Sequence, residues 1–449
     1  MKALFSLTTT SASQTRIRYL PEMTSPFLQI LDSAESDREF GHPPPTIRVK
    51  QQACKIDIPP TEITDLQNLV SKARLGPVTF ENSQPEVTKE FGLTRSWMSK
   101  AIQAWSSEST FNWNKIQDNI NSIPQFISTV NHNNHSYSIH YMALWSLRAD
   151  ATPLVCIHGW PGCFIEYLAV AKLLQSKYTP DTLPYHFIVP SLPGYTFSSG
   201  PPADSNGDFS TYDVSCIFRS LFIDQLGFDQ KGYIVAGGDI GSRVCRALAV
   251  DDEHCKGIHL TFCFDFDMRN FPRQGLKDNE LRDIEAIETF VTAGAAYAQM
   301  HATRSATIGF VLSSNPVALL AWIAEKFLEW TDLTPDMETI LTFMTLYWVT
   351  DTFSRSIYPY RHDFVPSEDV PCHGDGARWL IPRSKVFGFS HFPKEILPVP
   401  KAWVERTAVA EEVTFWREHE QGGHFAGVEV PGDLLEDLQE FVEHVRTRK

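Results

Sequence analysis

Residues 233–249 narrow the choice of fold more than any other stretch: an apolar run, Tyr233 to Ala236, then Gly237-Gly238-Asp239-Ile240-Gly241, then a helical run from Arg243 to Ala249. A strand that turns straight into a helix forces a tight, strained backbone at its tip. Small residues must flank that tip, because a side chain there would collide with the neighbouring strand or helix. The tip residue, Asp239, is then projected into the cleft above the sheet. Taken alone, Gly-Asp-x-Gly is most often a plain turn. The strand before it and the helix after it favour a G-x-Nuc-x-G turn, with an aspartate nucleophile where a serine is usual.

The surrounding pattern fits such a turn. Leu154 to His158, Phe187 to Val189 and Ile234 to Ala236 are short, apolar and closed by Gly or Pro, as strands buried on both faces of a parallel sheet are. Ala169 to Tyr178 and Tyr212 to Leu226 have helical length and period, which gives the β-α-β alternation of a doubly wound α/β domain. Strand character also marks Phe126 to Val130, Tyr137 to Trp145, Ile258 to Phe262, Lys385 to Phe389 and Val413 to Trp416, and a helix over Leu434 to Val445 closes the chain.

These signals divide the chain. Residues 1–45, rich in Ser, Thr and Pro and without helical or strand period, read as a loose extension. Residues 46–124 read as a helical wrapping segment, with helices over Pro60 to Ala73 and Ser96 to Trp105. Residues 125–270 and 369–449 form the two parts of an α/β core. Between them, residues 271–368 lose the strand signal and carry helices such as Ile284 to Gln299 and Pro316 to Trp330, the pattern of a helical lid.

Composition removes several function classes. With 43% hydrophobic and 21% charged residues the chain of 449 is an ordinary globular one. A formal net charge of -15 with no Lys/Arg cluster argues against nucleic acid as a partner. The eight cysteines form no C-x-x-C pair and no zinc spacing, so they read as reduced, mostly buried thiols, and no metal is expected. The longest apolar run, Val317 to Ala324, is too short to span a bilayer, so no transmembrane anchor is expected. A soluble cytoplasmic protein is the expectation, ahead of a secreted or mitochondrial one. A presequence stays open, since the first twenty positions lack acids and carry Arg16 and Arg18.

Two further motifs follow strands. His158-Gly159-Trp160-Pro161-Gly162 comes directly after Leu154 to Ile157. In folds with the Asp239 type of turn, one oxyanion-binding N–H comes from such a loop and a second from the residue after the nucleophile, which designates Trp160 and Ile240. A plain Gly/Pro turn would satisfy the same residues. Their place at the carboxyl ends of neighbouring strands, where such sheets bind ligands, favours the functional reading. Near the C-terminus, Gly422-Gly423-His424-Phe425 supplies a histidine last in chain order, as the general base in this arrangement must be. The acid orienting it should come from a strand end in between. Glu395 is well placed, with Asp265 and Asp267 as competitors.

Together the Asp239 turn, the HGWPG loop, PGYTFSSGP over 193–201 and GGHFA over 422–426 resemble the microsomal-type epoxide hydrolases, including their soluble fungal members. The resemblance covers about residues 46–449 and includes Trp113 and Pro124-Gln125-Phe126 in the wrapping segment. It implies an α/β-hydrolase fold with a mostly parallel central sheet, a helical lid insertion and an N-terminal wrapping segment. It also implies two lid tyrosines, which fall on Tyr297 and Tyr360, and it selects Glu395 as the acid. The implied activity is hydrolysis of an epoxide to a vicinal diol. An ester forms on Asp239 and is cleaved by water that His424 and Glu395 activate. The implied partners are an epoxide and water, without cofactor; oligomeric state is left open, a homodimer being one option. A haloalkane dehalogenase, or a catalytically silent binding protein of the same fold, are the alternatives.

Overall fold

The computed structural model describes residues 25–32, 39–85, 90–203, 209–263, 271–364 and 380–448, with only the backbone over 362–364. Arg16, Arg18, Asp265, Asp267 and Cys372 lie outside the described residues, as do parts of the extension and the boundary expected at 368/369.

Ten strands form one sheet: β1 (Leu28–Ile30), β2 (Gln52–Ile56), β3 (Gln125–His132), β4 (His135–Leu144), β5 (Thr152–Ile157), β6 (Tyr185–Pro190), β7 (Tyr233–Gly237), β8 (Cys255–Leu260), β9 (Val386–His391) and β10 (Phe415–Glu418). Their order is β1-β2-β3-β4-β6-β5-β7-β8-β9-β10. Pairing is antiparallel from β1 through β4 to β6, and parallel from β6 through β5 to β10. Buried residues fill β6 and β7 completely, as the continuous apolar runs led us to expect of central parallel strands.

Sixteen helices accompany the sheet among the described residues. The N-terminal segment carries α1 (Pro60–Lys72), α2 (Arg95–Trp105) and α3 (Trp113–Asn121); the first part of the core carries α4 (Leu168–Lys177), α5 (Thr211–Ser220) and α6 (Asp239–Asp251). Between β8 and β9 the described residues 271–364 form a helical block: α7 (Asp278–Thr289), α8 (Ala296–Thr303), α9 (Ser305–Ser313), α10 (Pro316–Glu329), α11 (Met337–Val349), α12 (Thr352–Ser356) and α13 (Tyr358–Phe364). The chain closes with α14 (Lys401–Glu405), α15 (Ala426–Glu429) and α16 (Pro431–Thr447).

The connectivity fixes where a ligand can sit. From β5 the chain crosses to β6 in one direction along the sheet, and from β6 to β7 and β8 in the other. Right-handed crossovers therefore put α4 on one face and α5 and α6 on the opposite face. The direction changes between the neighbours β5 and β7, whose last residues, Ile157 and Gly237, are register partners. Beyond their carboxyl ends the sheet leaves a crevice, the usual ligand position in such folds.

Several expectations need correction. The extension is not wholly without strand: Leu28–Ile30 pairs with Cys54–Ile56, and Phe40 is buried with its carbonyl accepting from the Trp145 N–H. The wrapping segment likewise contains a strand, β2, as well as helices. It is polar in alternation and lies near the sheet edge, where packing selects few apolar residues. The expected helix Ile284 to Gln299 is two helices separated by a π-turn at Phe290–Gly294. None of the seven described cysteines forms a disulfide, and all but Cys216 are buried. Among the described residues no single helix is long and apolar enough to cross a membrane.

Candidate active site

Asp239 is the first residue of α6 and follows β7 with only Gly238 between. Its φ of 45° lies in the left-handed region, the strain expected at the tip of such a turn. Close packing explains two of the neighbouring glycines. A Cβ on Gly241 would stand 2.1 Å from the Ile157 carbonyl oxygen, and one on Gly159 would stand 2.4 Å from Asp239 Oδ1. The loop after β5 can therefore press its backbone against the aspartate.

That contact gives the two carboxylate oxygens different surroundings. The Trp160 N–H donates to Oδ1 at 2.8 Å, and the Ile240 N–H also donates to the carboxylate. Oδ2 lies 3.7 Å from His424 Nε2. Burial pushes the Asp239 carboxyl up, while His424 and the two N–H groups oppose that push.

His424 is reached through the loop after β10. Its own N–H donates to the Trp330 carbonyl at 2.9 Å, so the histidine loop is stitched to the end of α10. Glu429 continues the stitching by accepting from the N–H groups of Asp332 and Phe425. The imidazole Nδ1 lies 2.6 Å from Glu395 Oε1, and both side chains are buried. Glu395 also accepts from the Ile396 N–H at 2.7 Å. Burial alone would depress the imidazole; the charges of Glu395, Asp239 and Glu166 overcome it and raise His424 to about 9.

The helical block supplies the opposite wall. The π-turn at Phe290–Gly294 leads into α8, which carries Tyr297, and α13 carries Tyr360. The two phenols hydrogen-bond each other, with ring centroids 5.8 Å apart. Trp160 holds both: its indole stacks on Tyr297 at 5.2 Å and meets Tyr360 edge-on at 5.7 Å. Burial pushes both phenols far above the ordinary tyrosine range, so both stay protonated. A cavity of about 240 Å³ opens between the walls, lined by Asp239, Tyr297 and Tyr360 and by apolar groups such as Phe262, Phe290, Val291 and Leu397.

All seven residues singled out from the sequence (Asp239, His424, Glu395, Tyr297, Tyr360, Trp160 and Ile240) thus meet around one cavity or directly behind it. Sequence reasoning missed Glu166. Its Oε2 is buried without a partner, and a Cβ on Gly162 would stand 1.9 Å from that oxygen. Burial, with Asp239 and Glu395 adding, raises its carboxyl to about 8 against the pull of His424. The available signal was a single acid within the otherwise apolar Cys163-Phe164-Ile165-Glu166-Tyr167. Among the described residues no group of three or more His, Cys, Asp or Glu could hold a metal ion.

Comparison with known proteins identifies the family. Residues 51–167 match the family described as the epoxide hydrolase N terminus, and residues 152–274 match the alpha/beta hydrolase fold. A provisionally named epoxide hydrolase of Dothistroma septosporum is 38% identical over 403 residues, 89% of this chain and 91% of that protein. Epoxide hydrolase 1 of Sus scrofa is 30% identical over 424 residues, covering 86% of this chain and 87% of its own. The solved structure of Aspergillus niger epoxide hydrolase superposes with a TM-score of 0.81 at 41% identity, over 91% of this chain and 100% of that one. The juvenile hormone epoxide hydrolase of the silkworm Bombyx mori, 23% identical, shares the fold with a TM-score of 0.75 over 89% of this chain and 96% of that one. With 38% identity over 89% of its length to one relative and 41% over 91% to a solved structure, the chain belongs to the epoxide hydrolase family of the α/β-hydrolase fold.

Proposed function

We propose that this chain hydrolyses apolar epoxides to vicinal diols through a covalent ester on Asp239. The observation that carries the reading is that a single apolar cavity holds the Asp239 carboxylate on one wall and two protonated phenols, Tyr297 and Tyr360, on the other. Opening an epoxide demands attack at carbon and donation to oxygen at once, and these walls offer both.

In the first step Oδ2 attacks a ring carbon, the carbon–oxygen bond breaks, and a phenol gives its proton to the ring oxygen. Oδ1, which accepts from Trp160, becomes the ester carbonyl. In the second step His424, oriented by Glu395, takes a proton from water as the water oxygen attacks the ester carbon. The N–H groups of Trp160 and Ile240 stabilise the oxyanion that forms on Oδ1, an effect worth roughly 3 kcal/mol per donor in comparable sites. Collapse expels the second diol oxygen, which was Oδ2, and leaves the water oxygen in the aspartate. One water proton goes to that diol oxygen and the other restores the phenol.

The helical block at 271–368 acts as the lid over this reaction, and the core is split around it as 125–270 and 369–449. We place the enzyme in the cytoplasm, in keeping with the lack of disulfides among its described cysteines. Repeated turnover of styrene oxide to phenylethanediol tests the assignment. Release of halide from a haloalkane, with no diol from any epoxide, would overturn it in favour of a dehalogenase.

A further inference from the structure

Among the described residues of the lid, Lys326 is a buried cation that the mechanism above does not use. Lys326 lies on the inner face of α10 with Leu319, Leu320, Ile323 and Phe327, and its side chain is 6% exposed. An ammonium in such surroundings is costly unless it is paired. Its neighbour Glu325, 32% exposed, forms an ion pair with it at the outer edge of the helix. The pair is therefore oriented, with its negative end toward solvent and its positive end toward the interior. There the ammonium sits 4.7 Å from the centroid of the Tyr297 ring and 5.7 Å from that of Trp330.

Tyr297 is the phenol stacked on Trp160 in the catalytic cavity. When it gives its proton to the ring oxygen, the phenolate charge spreads into the ring that Lys326 faces. A cation over a ring is attracted more strongly as that ring gains electron density, and more strongly still away from water. The attraction is therefore larger in the transition state for ring opening than in the resting enzyme, the condition for accelerating that step. Burial pushes the Tyr297 phenol far up, with Asp239 adding to it, while Tyr360 and the Arg243 charge pull against it.

Resting on the proposed role of Tyr297, we infer that Lys326 is a positioning residue that stabilises Tyr297 as its proton passes to the epoxide oxygen. Lys326 touches neither substrate nor the reacting atoms, and its effect is confined to the first half of the reaction.

The test measures formation of the Asp239 ester in a His424→Gln background, where the ester persists, by quenched flow and intact-protein mass. Styrene oxide, which needs a proton, is compared with phenacyl bromide, whose bromide leaves without one. We expect Lys326→Met to slow alkylation by styrene oxide about tenfold, the loss expected from a desolvated cation–ring contact. Alkylation by phenacyl bromide should stay unchanged, and Lys326→Arg should restore most of the rate. In a Tyr297→Phe background the effect of Lys326→Met should vanish, because the partner through which it acts is gone. Equal slowing with both reagents, or a full effect that persists without the Tyr297 hydroxyl, would reduce Lys326 to a packing role and overturn the inference. If the His424→Gln parent forms no ester from styrene oxide but does from phenacyl bromide, the failure lies in the epoxide reading itself.

Discussion

The two walls of the cavity are held in place by different physics. On the core wall, Asp239 and His424 are fixed by directional bonds: N–H donors from Trp160 and Ile240, the Trp330 carbonyl accepting from the His424 N–H, and Glu395 on the imidazole. On the lid wall, Tyr297 and Tyr360 are fixed mainly by rings, with Trp160, Trp330 and His301 packed around them. Hydrogen bonds fix an oxygen to within tenths of an ångström, as an attacking atom and its oxyanion require. Ring packing is less directional and tolerates sliding, which suits groups that must meet the oxygens of epoxides of different shape. The lid is not loose as a whole. Around α12 it is pinned to the 193–200 loop, where Arg355 donates to the carbonyls of Thr196 and Ser198 and the Thr196 N–H donates to Thr352 Oγ1.

This contrast can be broken from the lid side first. Replacing Tyr297 and Tyr360 together by Phe leaves ring packing intact and removes only the two hydroxyls. Ester formation should then fall by roughly 10⁴-fold, with the protein still folded by calorimetry. A double variant that still forms ester from styrene oxide at a rate near the parent's would mean that the lid wall contributes shape and not chemistry.

From the core side the expected effect is smaller and lies in pH. In the resting enzyme His424 is raised to about 9 because Glu395, Asp239 and Glu166 outweigh burial. Esterification removes the Asp239 charge, 3.7 Å away, so the imidazole must become less basic when it is needed as a base. A base acts above its pKa, so ester breakdown should rise with pH and level off at a pH roughly one unit or more below the resting value. Comparing the pH profile of single-turnover ester decay with an NMR titration of His424 in the free enzyme checks this. Coincident values would mean that Asp239 does not hold His424 protonated.

The same contrast explains what could be read from the residues. Asp239 was legible because backbone approach leaves no room for side chains at Gly159 and Gly241, and such demands write glycines into the sequence. His424 was marked in the same way: Gly422 has a φ of 104°, and a Cβ on Gly423 would stand 2.6 Å from the Trp330 carbonyl oxygen. Tyr297 and Tyr360 have no such signature, since a ring packed on rings looks like any core aromatic, and only family resemblance singled them out. Glu166 and Lys326 escaped for a related reason. The groups that act on them, His424 and Asp239 on Glu166 and the Tyr297 ring on Lys326, come from elements distant in sequence. The π-turn at Phe290–Gly294 was likewise hidden, because the apolar spacing continues through it. The edge strand β1 and its neighbour β2 were missed where Pro-rich and polar residues mask the strand period.

The central claim, attack by Asp239 through Oδ2 with water entering the carboxylate, is tested most directly by one turnover in heavy-oxygen water with enzyme in excess over styrene oxide. The account predicts that the label appears in Asp239, located by peptide mass, and is absent from the first diol. Label in that first diol and none in Asp239 would mean that water attacks the epoxide directly, and would contradict the account.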